Sequence, residues 1–183
     1  MMNWKPKSYA IVGLAMMSAP IIAQAKIYMS VEQAQKTLLP NKTLIKNPII
    51  ITDDLQEKMR AASSIRYPFK CELIWKATDG SWLVVDEVIG KHEMITYAVA
   101  LSPTGSILGI EILEYVESYG YEVAEPDWRK QFVGKTVNDP IKLNKDIQNI
   151  GGATLSCKHI TDGVKRITVL YDLALKNANP KKY

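Results

Sequence analysis

Along residues 94–102 apolar side chains recur at every second position. Ile95, Tyr97, Val99 and Leu101 share one face, and Thr96, Ala98 and Ala100 share the other. A period of two marks a strand. The run WLVVDEVI (82–89) precedes it and SILGIEILEYV (106–116) follows, both rich in β-branched residues, with Pro103-Thr104-Gly105 as a tight turn between the last two. Three strands over short connections predict an antiparallel meander.

Elsewhere the period lengthens to three or four. Residues 30–38 (SVEQAQKTL) open with Ser30 and Gln33 in the spacing of a capping box, and Pro40 ends the helix they predict. Asp53–Ser63 is a second helical stretch, with Leu55, Met59 and Ala62 on one face. Asp127 is placed to cap a short helix carrying Trp128, Gln131 and Phe132, closed by Gly134. Trp128 and Phe132 are core candidates, whereas Arg129, Lys130 and Lys158 are expected in solvent. From Thr154 onward, Ile160, Val164, Ile167 and Tyr171 define an amphipathic helix. The expectation is a single α+β domain, an antiparallel β-meander packed with helices. Residues 26–80 would be its N-terminal helical segment, 81–175 its core and 176–183 a frayed tail.

The first 25 residues read as a signal peptide. Lys5 and Lys7 make a basic start, residues 8–23 an apolar run interrupted by Pro20, and Ala23-Gln24-Ala25 a small-x-small cleavage site. Export to the periplasm is expected; the alternative is a retained N-terminal membrane anchor, for which the run is short. The remaining residues suffice for one domain with a sizeable core.

Charge adds little. Lysine and arginine number 23 against 19 acidic residues, a formal net charge of +4 that includes the two leader lysines. No dense basic tract with interleaved aromatics is present, which argues against nucleic acid as a partner. Cys71 and Cys157 are the only cysteines and are free to pair in an oxidising compartment. His92 and His159 are the only histidines and stand far apart, so no metal cluster is indicated. His92 follows Lys91 in a polar connection and is expected to be exposed. Asp86 and Glu87 are neighbours on a strand and point to opposite faces, so they make no acid/base pair. No Ser-His-Asp arrangement can be read from local motifs.

The segment NIGGATLSC (149–157) is unusual for its small side chains. Gly151-Gly152 ahead of a helix start can aim backbone N–H groups at an anion, and the hydroxyls of Thr154 and Ser156 add donors. On spacing alone an ordinary loop is the simpler reading. The hexapeptide GGATLS (151–156), followed by HITDGVKR (159–166), resembles the flavinylation motif of the FMN-binding domain family. That family includes periplasm-facing subunits of ion-pumping NADH:quinone and ferredoxin:NAD oxidoreductases. ESYGYEV (117–123) and WRKQFVGK (128–135) share its character, so the resemblance spans roughly residues 85–166.

The family motif is Ser/Thr-Gly-Ala-Thr-x-Ser/Thr, in which the threonine carries FMN through a phosphoester bond. A flavin transferase installs it with FAD as donor. By position, Gly152, Ala153, Thr154, Leu155 and Ser156 match, which implies Thr154 as the attachment residue. Gly151 stands where the family has Ser or Thr. Gln148 stands six positions before Thr154, where an acidic residue is common, and the nearest aspartate is Asp146. Glu117 and Tyr119 are implied at the border of the flavin ring. The resemblance therefore implies an exported flavoprotein that moves electrons between an unidentified donor and acceptor, protein or quinone. A flavin-dependent reductase of a small molecule, or a non-redox binding or assembly module on the same fold, are the alternatives.

Overall fold

The structure is a computed structural model and describes residues 26–116 and 119–178. The expected leader, Glu117 and the end of the tail lie outside the described residues. Six antiparallel strands form one sheet: β1 (Lys26–Ile27), β2 (Leu44–Lys46), β3 (Ile74–Ala77), β4 (Trp82–Ile89), β5 (Met94–Leu101) and β6 (Ile107–Tyr115). Their spatial order is β1-β6-β5-β4-β3-β2. The meander β4–β6 forms its centre, as the alternation predicts. Two register shifts between β5 and β6, at Thr96/Tyr97 and Ala100/Leu101, add local twist and curl the sheet.

The helices are α1 (Val31–Leu38), α2 (Asp53–Ser63), α3 (Pro126–Arg129) and α4 (Thr154–Leu173). Ser30 and Gln33 form the expected capping box on α1. In α2 the buried stripe is Leu55, Met59 and Ser63, with Ala62 exposed. The Ser63 hydroxyl donates to the Met59 carbonyl at 2.7 Å, so its burial leaves no donor unmet. The stretch 26–80, expected to be helical, also supplies the edge strands β1 and β2 and the strand β3 beside β2.

Both faces of the sheet are covered. Ile95, Tyr97, Val99 and Leu101 pack with Val84, Val88, Ile110 and Ile112 against Ile160, Val164 and Ile167 of α4. On the opposite face Ala98, Ala100, Leu83, Val85 and Leu113 pack with Ala34 of α1. The alternation in β5 thus separates large from small side chains rather than buried from exposed ones. The small face admits a helix at close range.

Near α3 two expectations are corrected. Glu125 holds the N-cap position with Pro126 as the first helical residue, while Asp127 is exposed and pairs with Lys130 at 2.6 Å. Proline suits that first position because its missing N–H would have no helical partner. Arg129 is not in solvent. Its side chain is 13% exposed, meets Glu111 at 2.6 Å, and donates to the carbonyls of Ala124 and Ile110. Trp128 and Phe132 are buried and in edge contact. Cys71 and Cys157 are free thiols, so the possible disulfide is not formed.

Candidate functional site

Thr154 is the first residue of α4 and is exposed. Ile150–Ala153 forms the turn that leads into it, closed by the Ala153 N–H on the Ile150 carbonyl at 3.0 Å. Gly152 takes a left-handed conformation there (φ +86°), which a residue with a Cβ adopts only under strain. A Cβ at Gly151 or Gly152 would meet nothing within 4 Å. The small residues therefore keep a space open rather than permit close packing.

The N-cap of α4 is Ala153, which offers no side-chain cap, and the first turn contains no acidic residue. The first backbone N–H groups of a helix lack intrahelical acceptors, and the helix dipole adds partial positive charge at that end. Side chains leave these amides to whatever approaches Thr154. Asn149, outside the motif although only five residues away, donates its side-chain amide to the Thr154 Oγ1 at 3.0 Å. With the threonine oxygen accepting, its own O–H remains available.

A cavity of about 470 Å³ opens at this turn, lined by Lys91, His92, Tyr119, Gly152, Ala153, Thr154, Leu155 and Ser156. Its size lies within the range of small-molecule sites. The glycine turn and the helix start bring Gly152 through Ser156 into that lining, as the motif implies, and Tyr119 joins them from across the cavity. Gly151 is exposed beside the same turn. Leu155 and Tyr119 are largely exposed and give the mouth an apolar rim.

Ser156, besides lining the cavity, is tied to the sheet. Its side chain is buried and lies 2.9 Å from the Tyr115 hydroxyl, which donates to the Tyr119 carbonyl at 2.5 Å. A phenol has one proton, so Ser156 is the donor in the first bond. The chain Ser156–Tyr115–Tyr119 ties the end of β6 to the start of α4. Gly120 makes this possible: it is left-handed (φ +90°), and a Cβ there would sit 2.6 Å from the Tyr115 hydroxyl.

On the far wall, the turn between β4 and β5 brings Lys91 and His92 to the cavity. His159, on α4, places Nδ1 at 2.6 Å from the Ile89 carbonyl and 3.0 Å from that of Gly90. The Nδ1–H of the matching tautomer donates to both. Deeper along α4, Arg166 meets both Asp86 carboxylate oxygens at 2.6 and 2.7 Å, and Tyr97 donates to the same carboxylate at 2.6 Å. Burial pushes the Asp86 carboxyl above its ordinary range, against the pull of Arg166. Burial, and next the Asp86 charge, push the Tyr97 hydroxyl far up, so it stays a donor. Glu87 points away and pairs with Lys70. Burial likewise raises the Cys157 thiol, which makes it an unreactive packing residue. Among the described residues, no three or more His, Cys, Asp or Glu side chains gather as a metal site.

Residues 90–168 match the family model of the FMN-binding domain. A crystallised component of the Na(+)-translocating NADH-quinone reductase from Parabacteroides distasonis resembles this chain with 17% identity and a TM-score of 0.49, over 81% of this chain and 83% of that one. No curated protein matches the chain in sequence. The region from the β4–β5 turn into α4, which holds the cavity, the glycine turn and Thr154, belongs to the FMN-binding domain family, and FMN is its cofactor.

Proposed function

We propose that this chain is an exported flavoprotein that carries FMN covalently on Thr154 and passes electrons between redox partners in the periplasm. The observation that carries the reading is the setting of one hydroxyl. Thr154 is exposed at the mouth of a cavity, on the first turn of a 20-residue helix without a side-chain cap, inside the FMN-binding domain. A phosphodiester there would accept from the free amides of α4. The open space at Gly151 and Gly152 gives both the phosphate and a large transferase access to the threonine.

Attachment would join the Thr154 Oγ1 to the phosphorus of the FMN half of FAD. The pyrophosphate bond breaks, AMP leaves, and the hydroxyl proton is taken up by base in the flavin transferase. Asn149 fixes the direction of the Thr154 oxygen before that step. Bound FMN supplies one- and two-electron chemistry, which the protein tunes through hydrogen bonds and nearby charge. Leu155 and Tyr119 would lie against the flavin, and Ser156 and Tyr115 hold Tyr119 in place. A covalent tether suits a protein outside the cytoplasm, where lost FMN could not readily be replaced. The basic start, apolar run and Ala23-Gln24-Ala25 support export.

The test is retention and reactivity of the flavin. The full chain, matured with a flavin transferase, is expected to keep its yellow colour and flavin fluorescence after denaturation. Once reduced, it should pass electrons faster to a quinone or protein acceptor than to small organic acids. Flavin lost on denaturation would contradict covalent attachment. Fast turnover with one organic acceptor would instead make the protein a reductase.

A further inference from the structure

The β4–β5 turn contributes the two basic side chains of a cavity that otherwise offers backbone amides, hydroxyls and apolar groups. Lys91 and His92 line it, and no carboxylate does among the described residues. The turn is braced from several sides. Gly90 donates to the Glu93 carbonyl at 2.7 Å and closes it. His159 of α4 bonds the carbonyls of Ile89 and Gly90, one turn beyond Thr154 and Leu155. The Tyr67 hydroxyl accepts from the Ile89 N–H at 3.2 Å and donates to the Glu87 carbonyl at 3.3 Å. The lysine is therefore carried on a turn whose position is fixed relative to the attachment helix. Salt bridges occupy Lys158 and Lys176, with Asp162 and Asp172.

We propose that Lys91, carried on the Gly90–Glu93 turn that His159 fixes to α4, is the cationic group in the wall of the flavin site and faces the negative charge of the FMN phosphate and of the reduced ring. This rests on reading the cavity as the FMN site and adds the residue that sets its electrostatics. Reduction adds electron density to the ring, so a nearby positive charge favours the reduced form and raises the midpoint potential. Lys91 is exposed, so the effect is screened by salt.

The experiment is potentiometric titration of the flavin-loaded full chain at low and high ionic strength, for the parent, Lys91→Gln, Lys91→Glu and Lys176→Gln. Lys176 is the control, since it carries the same charge beyond the opposite end of α4. The midpoint potential is expected to fall with Lys91→Gln and further with Lys91→Glu, to stay unchanged with Lys176→Gln, and the gaps to narrow at high salt. Equal potentials for the parent and Lys91→Glu, both loaded, overturn the proposal while leaving covalent attachment intact. If no variant acquires covalent flavin, attachment fails, and binding of free FMN and riboflavin decides about the wall. Lys91→Glu is then expected to weaken FMN by roughly twofold to fivefold, the range of an exposed ion pair, and to leave riboflavin unchanged. Equal affinity of parent and variant for FMN overturns the proposal.

Discussion

Two stretches of the same helix meet opposite demands. In the middle of α4, Arg166 is 1% exposed, held between the rings of Tyr67 and Phe69 and bonded to Asp86. At its N-terminus, Thr154 and Leu155 are exposed, the cap position is an alanine, and a Cβ on either preceding glycine would meet nothing. The middle commits buried charge to holding one geometry; the end leaves its first amides without side-chain caps. The first makes the second tolerable. A helix pinned by Arg166 and His159 to β4 and the turn after it can present an open first turn without fraying.

The strongest way to break this contrast is to remove one partner of the buried pair. Asp86→Ala leaves Arg166 buried and uncompensated, and a loss of about 3–5 kcal/mol in urea unfolding is expected. Replacing both residues with apolar ones of similar size should restore much of that loss. Next comes Gly163→Ala, whose Cβ would collide with the Tyr97 hydroxyl and lie 2.8 Å from Val88. Overpacking there should cost about 1–3 kcal/mol and move α4 off the sheet.

Gly120→Ala acts on the open end instead. The left-handed backbone costs about 1–2 kcal/mol with a Cβ, and the clash with Tyr115 displaces Tyr119. The bound flavin's absorbance should shift, a signature absent from Gly163→Ala.

Asp146 gives a pH test of the loop that leads into the glycine turn. Burial raises its carboxyl, but the Lys142 amide, Lys135 and the Ile141 amide outweigh that and hold it below its ordinary value. A depressed folded value means stability that is full above the unfolded value of about 3.9 and is lost as pH falls through the folded one. Unfolding midpoints against pH should show this acid limb, and Asp146→Asn should flatten it. The smallest effect is expected from Gly151→Ser, which meets nothing and should change stability by less than about 0.5 kcal/mol. A large rise in flavin loading with that variant would favour the binding-module alternative for the natural chain.

The meander and the long helices are legible in the sequence because their periods are carried by neighbouring residues. Ser30 and Gln33 are legible for the same reason. The short strands β2 (LIK) and β3 (IWKA) are not, since three or four residues are too few to display an alternation. Arg129 reads as solvated because its partner Glu111 lies on another element. The Asp86–Arg166 pair spans 80 positions and leaves no local mark. In the site, the glycine turn and Thr154 are readable from a local motif. Lys91 and His92 join them only because α4 runs back along the β4–β5 hairpin, a fact of packing that no stretch of neighbouring residues displays.

The most direct test is the intact mass of the full chain produced with a flavin transferase, beside Thr154→Val. An added mass of FMN less water, absent from the variant, is the expected result. An unmodified mass in both, or the same addition in both, would contradict Thr154 as the point of attachment.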